Sequence, residues 1–162
     1  MRKVDAALGF LLDGLDEAFD SKSWHGTNLR GSLRGLTAPQ AAWRPAPERH
    51  NIWEITVHAA YWKYAVRRVV TGARRGSFPL PGSNWFLRED AGAAAWRQDL
   101  QLLNDEHRQL REAVAALPTT RLQSLTSKRV FTYAELIRGV AAHDLYHAGQ
   151  IQLLKRLRVT GG

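Results

Sequence analysis

His143-Asp144-Leu145-Tyr146-His147 lies inside the last strongly periodic stretch of the chain, about residues 133–158, and the fold is read from it. Positions four apart on a helix stack on one face, so His143 and His147 present both imidazoles to one point. Around them Leu136, Val140, His143, His147, Gln150 and Leu154 follow in steps of three and four, which makes one inward seam of a helix.

Three further segments carry the same period. About residues 3–20 place Val4, Leu8, Leu11, Leu15 and Phe19 on a stripe. About 51–71 place Ile55, His58, Trp62, Ala65 and Val69, and about 89–117 place Trp96, Leu100, Leu103, His107, Leu110, Val114 and Leu117. Four seams without a strand pattern predict an all-α four-helix bundle, with residues 1–162 as one domain. Thr132-Tyr133-Ala134-Glu135 reads as a capping box, and Asn51-Ile52-Trp53-Glu54 offers the same arrangement with asparagine as the cap. The connections are long and rich in glycine and proline: 21–50, 72–88 and 118–131, the last irregular or extended. A short helix is expected after Thr37, with Pro39 in its first turn.

Composition narrows the chemistry. There is no cysteine, so disulfides, thiolate ligands and thiol nucleophiles are all absent. Any bound metal must use nitrogen and oxygen ligands, which suits zinc, nickel, manganese or iron better than copper(I). The net charge of +8 is spread along the chain without an aromatic-interleaved basic stripe, so specific nucleic-acid binding is not expected. No apolar run reaches the roughly 20 residues of a membrane span, and the N-terminus does not read as a signal peptide, so no membrane partner is expected and the cytoplasm is the expected location.

The third imidazole comes from the second periodic segment. His58, His143 and His147 all fall on inward stripes, and a metal would give their ring nitrogens a partner in a dry core. Three histidines leave coordination positions open, which favours chemistry over structural stapling. The competing reading is a set of core histidines, each with a hydrogen-bond partner. For His107, also on its stripe, that bland reading is preferred over a fourth ligand, a supporting partner or a proton shuttle. His25 and His50 lie in loops and are expected at the surface. Gln150 is placed to reach a metal-bound water or substrate, and Glu54 to approach the site from one turn before His58, although capping is its preferred job. Asp144 is a candidate acceptor for an imidazole from a facing helix. The zincin signature His-Glu-x-x-His is not present, because aspartate follows His143.

The run from His143 to Ile151 resembles the last-helix motif of the DinB-like superfamily, the YfiT-like metalloenzymes. Ile52-Trp53-Glu54-Ile55 with His58 and Trp62 resembles its second-helix motif, and Leu36-Thr37, Ala41 and Trp43-Arg44-Pro45 the segment before it. The resemblance implies an up-down-down-up bundle, a divalent metal (zinc or nickel) on His58, His143 and His147, and a homodimer. It also implies a metal-dependent hydrolase or an S-transferase using a low-molecular-weight thiol, acting on a small-molecule substrate. The alternative is a non-catalytic protein, induced by stress or DNA damage, that binds a metal or small molecule. No subfamily's substrate residues are matched, so the reaction is not carried over.

Overall fold

The structure is a computed structural model that describes residues 5–89 and 92–160. Among the described residues six α-helices follow in chain order: α1 (Ala6–Phe19), α2 (Leu29–Leu33), α3 (Ala38–Ala42), α4 (Ile52–Thr71), α5 (Ala93–Ala115) and α6 (Tyr133–Thr160). The four long ones form the bundle. Among the described residues the only extended pairing is one antiparallel bridge, Leu125 with Thr132, next to a 3₁₀ turn at Thr119–Arg121.

Local chemistry sets the helix starts. Asn51 Oδ1 accepts from the Glu54 N–H at 2.8 Å and opens α4, and Gly72, at φ +75°, closes it in the left-handed conformation that glycine adopts without strain. Thr132 and Glu135 form the expected reciprocal cap of α6, at 3.2 Å and 2.8 Å. Thr37 and Gln40 do the same for α3, which carries proline in its first turn as expected. The third long helix begins at Ala93, later than the expected 89. Val4 of the first stripe lies outside the described residues.

Side-chain pairs give the directions. Trp53 meets Asp99, and Lys63 meets His107, so α4 and α5 run parallel. Asp16 pairs with Arg111 while Phe19 stacks on His107, so α1 and α5 are antiparallel. The start of α4 shares an apolar cluster with Ile151 and Leu154, and its end shares another with Tyr133, Ile137 and Val140, so α4 and α6 are also antiparallel. This is the up-down-down-up order. Parallel neighbours in sequence require a long crossover, which the 72–92 connection provides.

The two clusters occupy opposite ends of the bundle. One gathers Trp53, Ile55, Leu103 and Ile151, with Leu29 and Leu33 of α2. The other gathers Leu15, Val66, Leu110, Val114 and Ile137. Each fully buried side chain of this kind contributes about 1.5–3 kcal/mol. Between them every long helix turns polar: Asp16 on α1, His58 and Lys63 on α4, Glu106 and His107 on α5, and His143, Asp144 and His147 on α6. The bundle therefore has a polar waist between two apolar ends, and the histidines sit in it.

Candidate metal centre

His58, His143 and His147 converge. The Nε2 of His143 is 3.1 Å from that of His58 and 3.0 Å from that of His147, and one nitrogen from each ring lies within 4.8 Å of the others. Imidazoles around one tetrahedral zinc, at about 2.0–2.1 Å each, hold their nitrogens about 3.3 Å apart. The spacing thus suits a shared ion.

The outer nitrogens explain why the inner ones face each other. His58 Nδ1 donates to the carbonyl oxygen of Asn84 at 2.8 Å, and His147 Nδ1 donates to Gln150 Oε1 at 2.7 Å. A neutral ring with its proton on Nδ1 carries a lone pair on Nε2. Two lone pairs are therefore aimed at His143, which has at most one N–H to offer between them. If that proton is on Nε2, His143 Nδ1 is left as a buried acceptor, and it has no hydrogen-bond partner. A cation resolves this conflict, and the donor set of three nitrogens fits a divalent one.

Burial keeps the rings neutral. It lowers His58 to about 4, with help from His147 and His50 and against the Asn84 carbonyl. It lowers His143 to about 3, assisted by His147, His58 and Lys63. His147 is lowered by burial against the opposing pull of Gln150. Neutral imidazole is the form that binds a metal.

The crossover between α4 and α5 builds the outer wall. Asn84 adopts φ +66°, a left-handed conformation that asparagine tolerates better than most residues. There its carbonyl meets His58 while its side-chain oxygen accepts from Trp62 Nε1 at 2.9 Å. The next residue, Trp85, lies between His50 and His58, with ring centroids at 3.6 Å and 3.8 Å. A cleft of about 460 Å³ opens at the rings, walled by Trp62, Val66, Trp85, Phe131 and Val140. Trp62, expected on a core stripe, is instead 39% exposed and forms part of this wall.

The other expected residues are placed differently. Gln150 reaches the His147 ring. Glu54 neither caps α4 with its side chain nor faces the triad: its carboxylate pairs with Arg44 at 2.5 Å and 3.0 Å and with His50 at 3.0 Å. Burial raises its pKa, but Arg44, His50 and the Arg88 N–H outweigh this and hold it below the usual range. A guanidinium offers a carboxylate two parallel donors, a stronger claim than the single N–H of the cap. Asp144 does not orient an imidazole. It is fully buried and paired with Lys63, itself fully buried, because an unpaired charge there would be far costlier than this geometry. Burial raises the Asp144 carboxyl against the pull of Lys63.

His107 belongs to that second cluster and is no fourth ligand. Its Nδ1 is 3.2 Å from Lys63 Nζ, and its ring stacks on Phe19 at 3.7 Å. Burial, then Lys63 and Arg111, lower it to about 2. His25 and His50 are both exposed as expected, and His50 also pairs with Glu54 and stacks on Trp85. Sequence reasoning missed Asn84, Trp85 and Lys63. The one signal for the first two is the Gly82-Ser83-Asn84-Trp85 run, where glycine and asparagine mark a turn ahead of an aromatic.

The profile of the DinB superfamily matches residues 23–151, which include all three histidines. No curated protein and no solved structure matches the chain.

Proposed function

The chain belongs to the DinB superfamily, and on that premise we propose that it is a metal-dependent enzyme acting on a small molecule, with His58, His143 and His147 as the ligands of one divalent ion, zinc or nickel. The observation that carries this reading is the convergence of three neutral Nε2 atoms with more lone pairs than protons, two of whose rings, His58 and His143, line an open cleft. A closed site would suit a structural role, whereas an open one leaves room for a reactant. An ion held there supplies a Lewis acid that makes water or a low-molecular-weight thiol nucleophilic at neutral pH.

The protein's own groups do the positioning. The Asn84 carbonyl and Gln150 hold two rings in the tautomer that leaves Nε2 free. Trp85 stacks against His58 and restricts water on that side. The apolar walls bind the body of the reactant and exclude bulk solvent. Hydrolysis and thiol transfer both fit this arrangement.

A homodimer is part of the same proposal. Tyr146 and Leu153 are exposed at 64% and 58% and lie seven residues apart on α6, a spacing that packs against a second helix. Light scattering of the purified protein tests it, and a monomer at micromolar concentration removes it.

Elemental analysis of protein purified without a polyhistidine tag, beside His143→Ala, tests the metal. Ester, amide and thiol-conjugation assays on the same preparations test the activity. Metal and turnover should be lost together in the variant. Turnover that survives without metal would end the proposal.

A further inference from the structure

The cleft does not stop at Phe131. A second cavity of about 340 Å³ shares Trp62, Val66, Phe131 and Leu136 with it and continues away from the histidines. The order of lining residues along α4 is His58, Trp62, Val66, then Arg68 and Val69, so the track runs down one helix face. At 1.5 Å per residue, His58 and Arg68 are separated by about 15 Å along the axis. The antiparallel α6 lines the other side with His143, Val140 and Leu136 in the opposite order.

The two ends differ in charge. Glu135 lines the first cavity beside Leu136, about 12 Å along α6 from His143, and its carboxylate is held by the Thr132 N–H and hydroxyl. The far half is lined by Arg68, Arg75 and Lys128, and none of these has a carboxylate partner among the described residues. The Nε of Arg68 is buried and makes no hydrogen bond, while its guanidinium lies 5.5 Å from the Tyr64 ring centre. Charge-assisted hydrogen bonds are the strong ones, so three uncommitted cations beside an apolar channel form an anion-receiving end.

We infer that the reactant is a small amphipathic organic anion: an apolar body lies along Trp62, Val66, Phe131 and Leu136, its reacting end faces the histidines, and its anionic head is received by Arg68, Arg75 and Lys128. The orientation rests on the proposed metal site, but the binding does not. The cations line only the cavity away from the histidines, which favours this polarity over the reverse.

The test uses phenyloctanoate and its neutral counterpart phenyloctanol, titrated calorimetrically into the protein as purified, with metal content measured on each sample. Wild type should bind the carboxylate about tenfold more tightly than the alcohol. Arg68→Gln/Lys128→Gln should remove that preference and leave alcohol binding unchanged, and Trp62→Ala should weaken both ligands. Equal affinity of the two probes for wild type overturns the inference, as does a carboxylate preference untouched by the double substitution. If that untouched preference scales with metal content, the head sits on the metal, and the proposed metal site survives while this inference falls. If the preference depends on the cations in a protein without metal, the inference survives while the metal proposal falls.

Discussion

Two buried polar clusters share the waist of this bundle and use the same helices, yet they do opposite things. Lys63, Asp144 and His107 close on one another around a cation: the ammonium donates to Asp144 Oδ2 and to His107 Nδ1, although Asp144 Oδ1 has no hydrogen-bond partner. His58, His143 and His147 cannot close, because the proton-bearing nitrogens of His58 and His147 are already used on the outside and their two lone pairs meet at His143, whose Nδ1 has no partner. His143 and Asp144 are adjacent in sequence and belong to different clusters. A buried polar cluster therefore marks a cation site when its acceptors converge with no cation among them; in the other cluster the Lys63 ammonium already fills that place, and the pair is a strut.

The sharpest way to break this contrast is to remove a member of the open cluster. His143→Ala should lose the about one equivalent of metal expected per chain, read by elemental analysis, while His107→Phe retains it. Equal metal in both variants would erase the distinction. The next largest effect lies in the closed cluster. Lys63→Met strands the Asp144 carboxylate and should cost about 3–5 kcal/mol in urea denaturation. Adding Asp144→Leu should restore most of that loss, and the double variant should still bind metal. A double variant as unstable as the single would show that the pair does more than neutralise itself.

The support of the open cluster can be graded as well. Gln150→Leu should leave the fold intact and weaken zinc binding by about 10- to 100-fold in chelator competition, since His147 loses its orienting acceptor. No change would mean that the ring is held by packing alone. The smallest effect is a slope. His107 titrates near 2 when folded and near 6.5 when unfolded, so below about pH 6.5 the unfolded chain takes up a proton that the folded one refuses. Stability falls with acid in that window, by at most about 1.4 kcal/mol per pH unit from this group. The stability-against-pH curve of His107→Phe should be shallower between about pH 6.5 and 4.5, and parallel curves would contradict the buried neutral ring.

What could be read in advance follows from what is local. Helical periodicity, the Thr132 and Asn51 caps and the four-residue spacing of His143 and His147 are all encoded within a few residues, and the structure has them. The meeting of His58 with that pair was legible only because all three ride inward stripes. Lys63 with Asp144 was not, since an ion pair across 81 positions leaves no periodic trace and a lysine reads as a surface residue. Asn84 and Trp85 sit in a crossover without a repeat, where a backbone carbonyl carries the contact and any residue has one. Glu54 was drawn from its cap by Arg44, a partner ten positions back that helix rules do not consider.

The two supported ligands differ in how they can be lost over generations. The partner of His147 is a glutamine side chain, which a single codon change deletes. The partner of His58 is main chain, carried by the path of the crossover rather than by the identity of its residue. Descendants of this protein can thus exchange much of that crossover's sequence, and with it the walls around a reactant, while His58 keeps its aim. Only an insertion or deletion that reroutes the loop would disarm it.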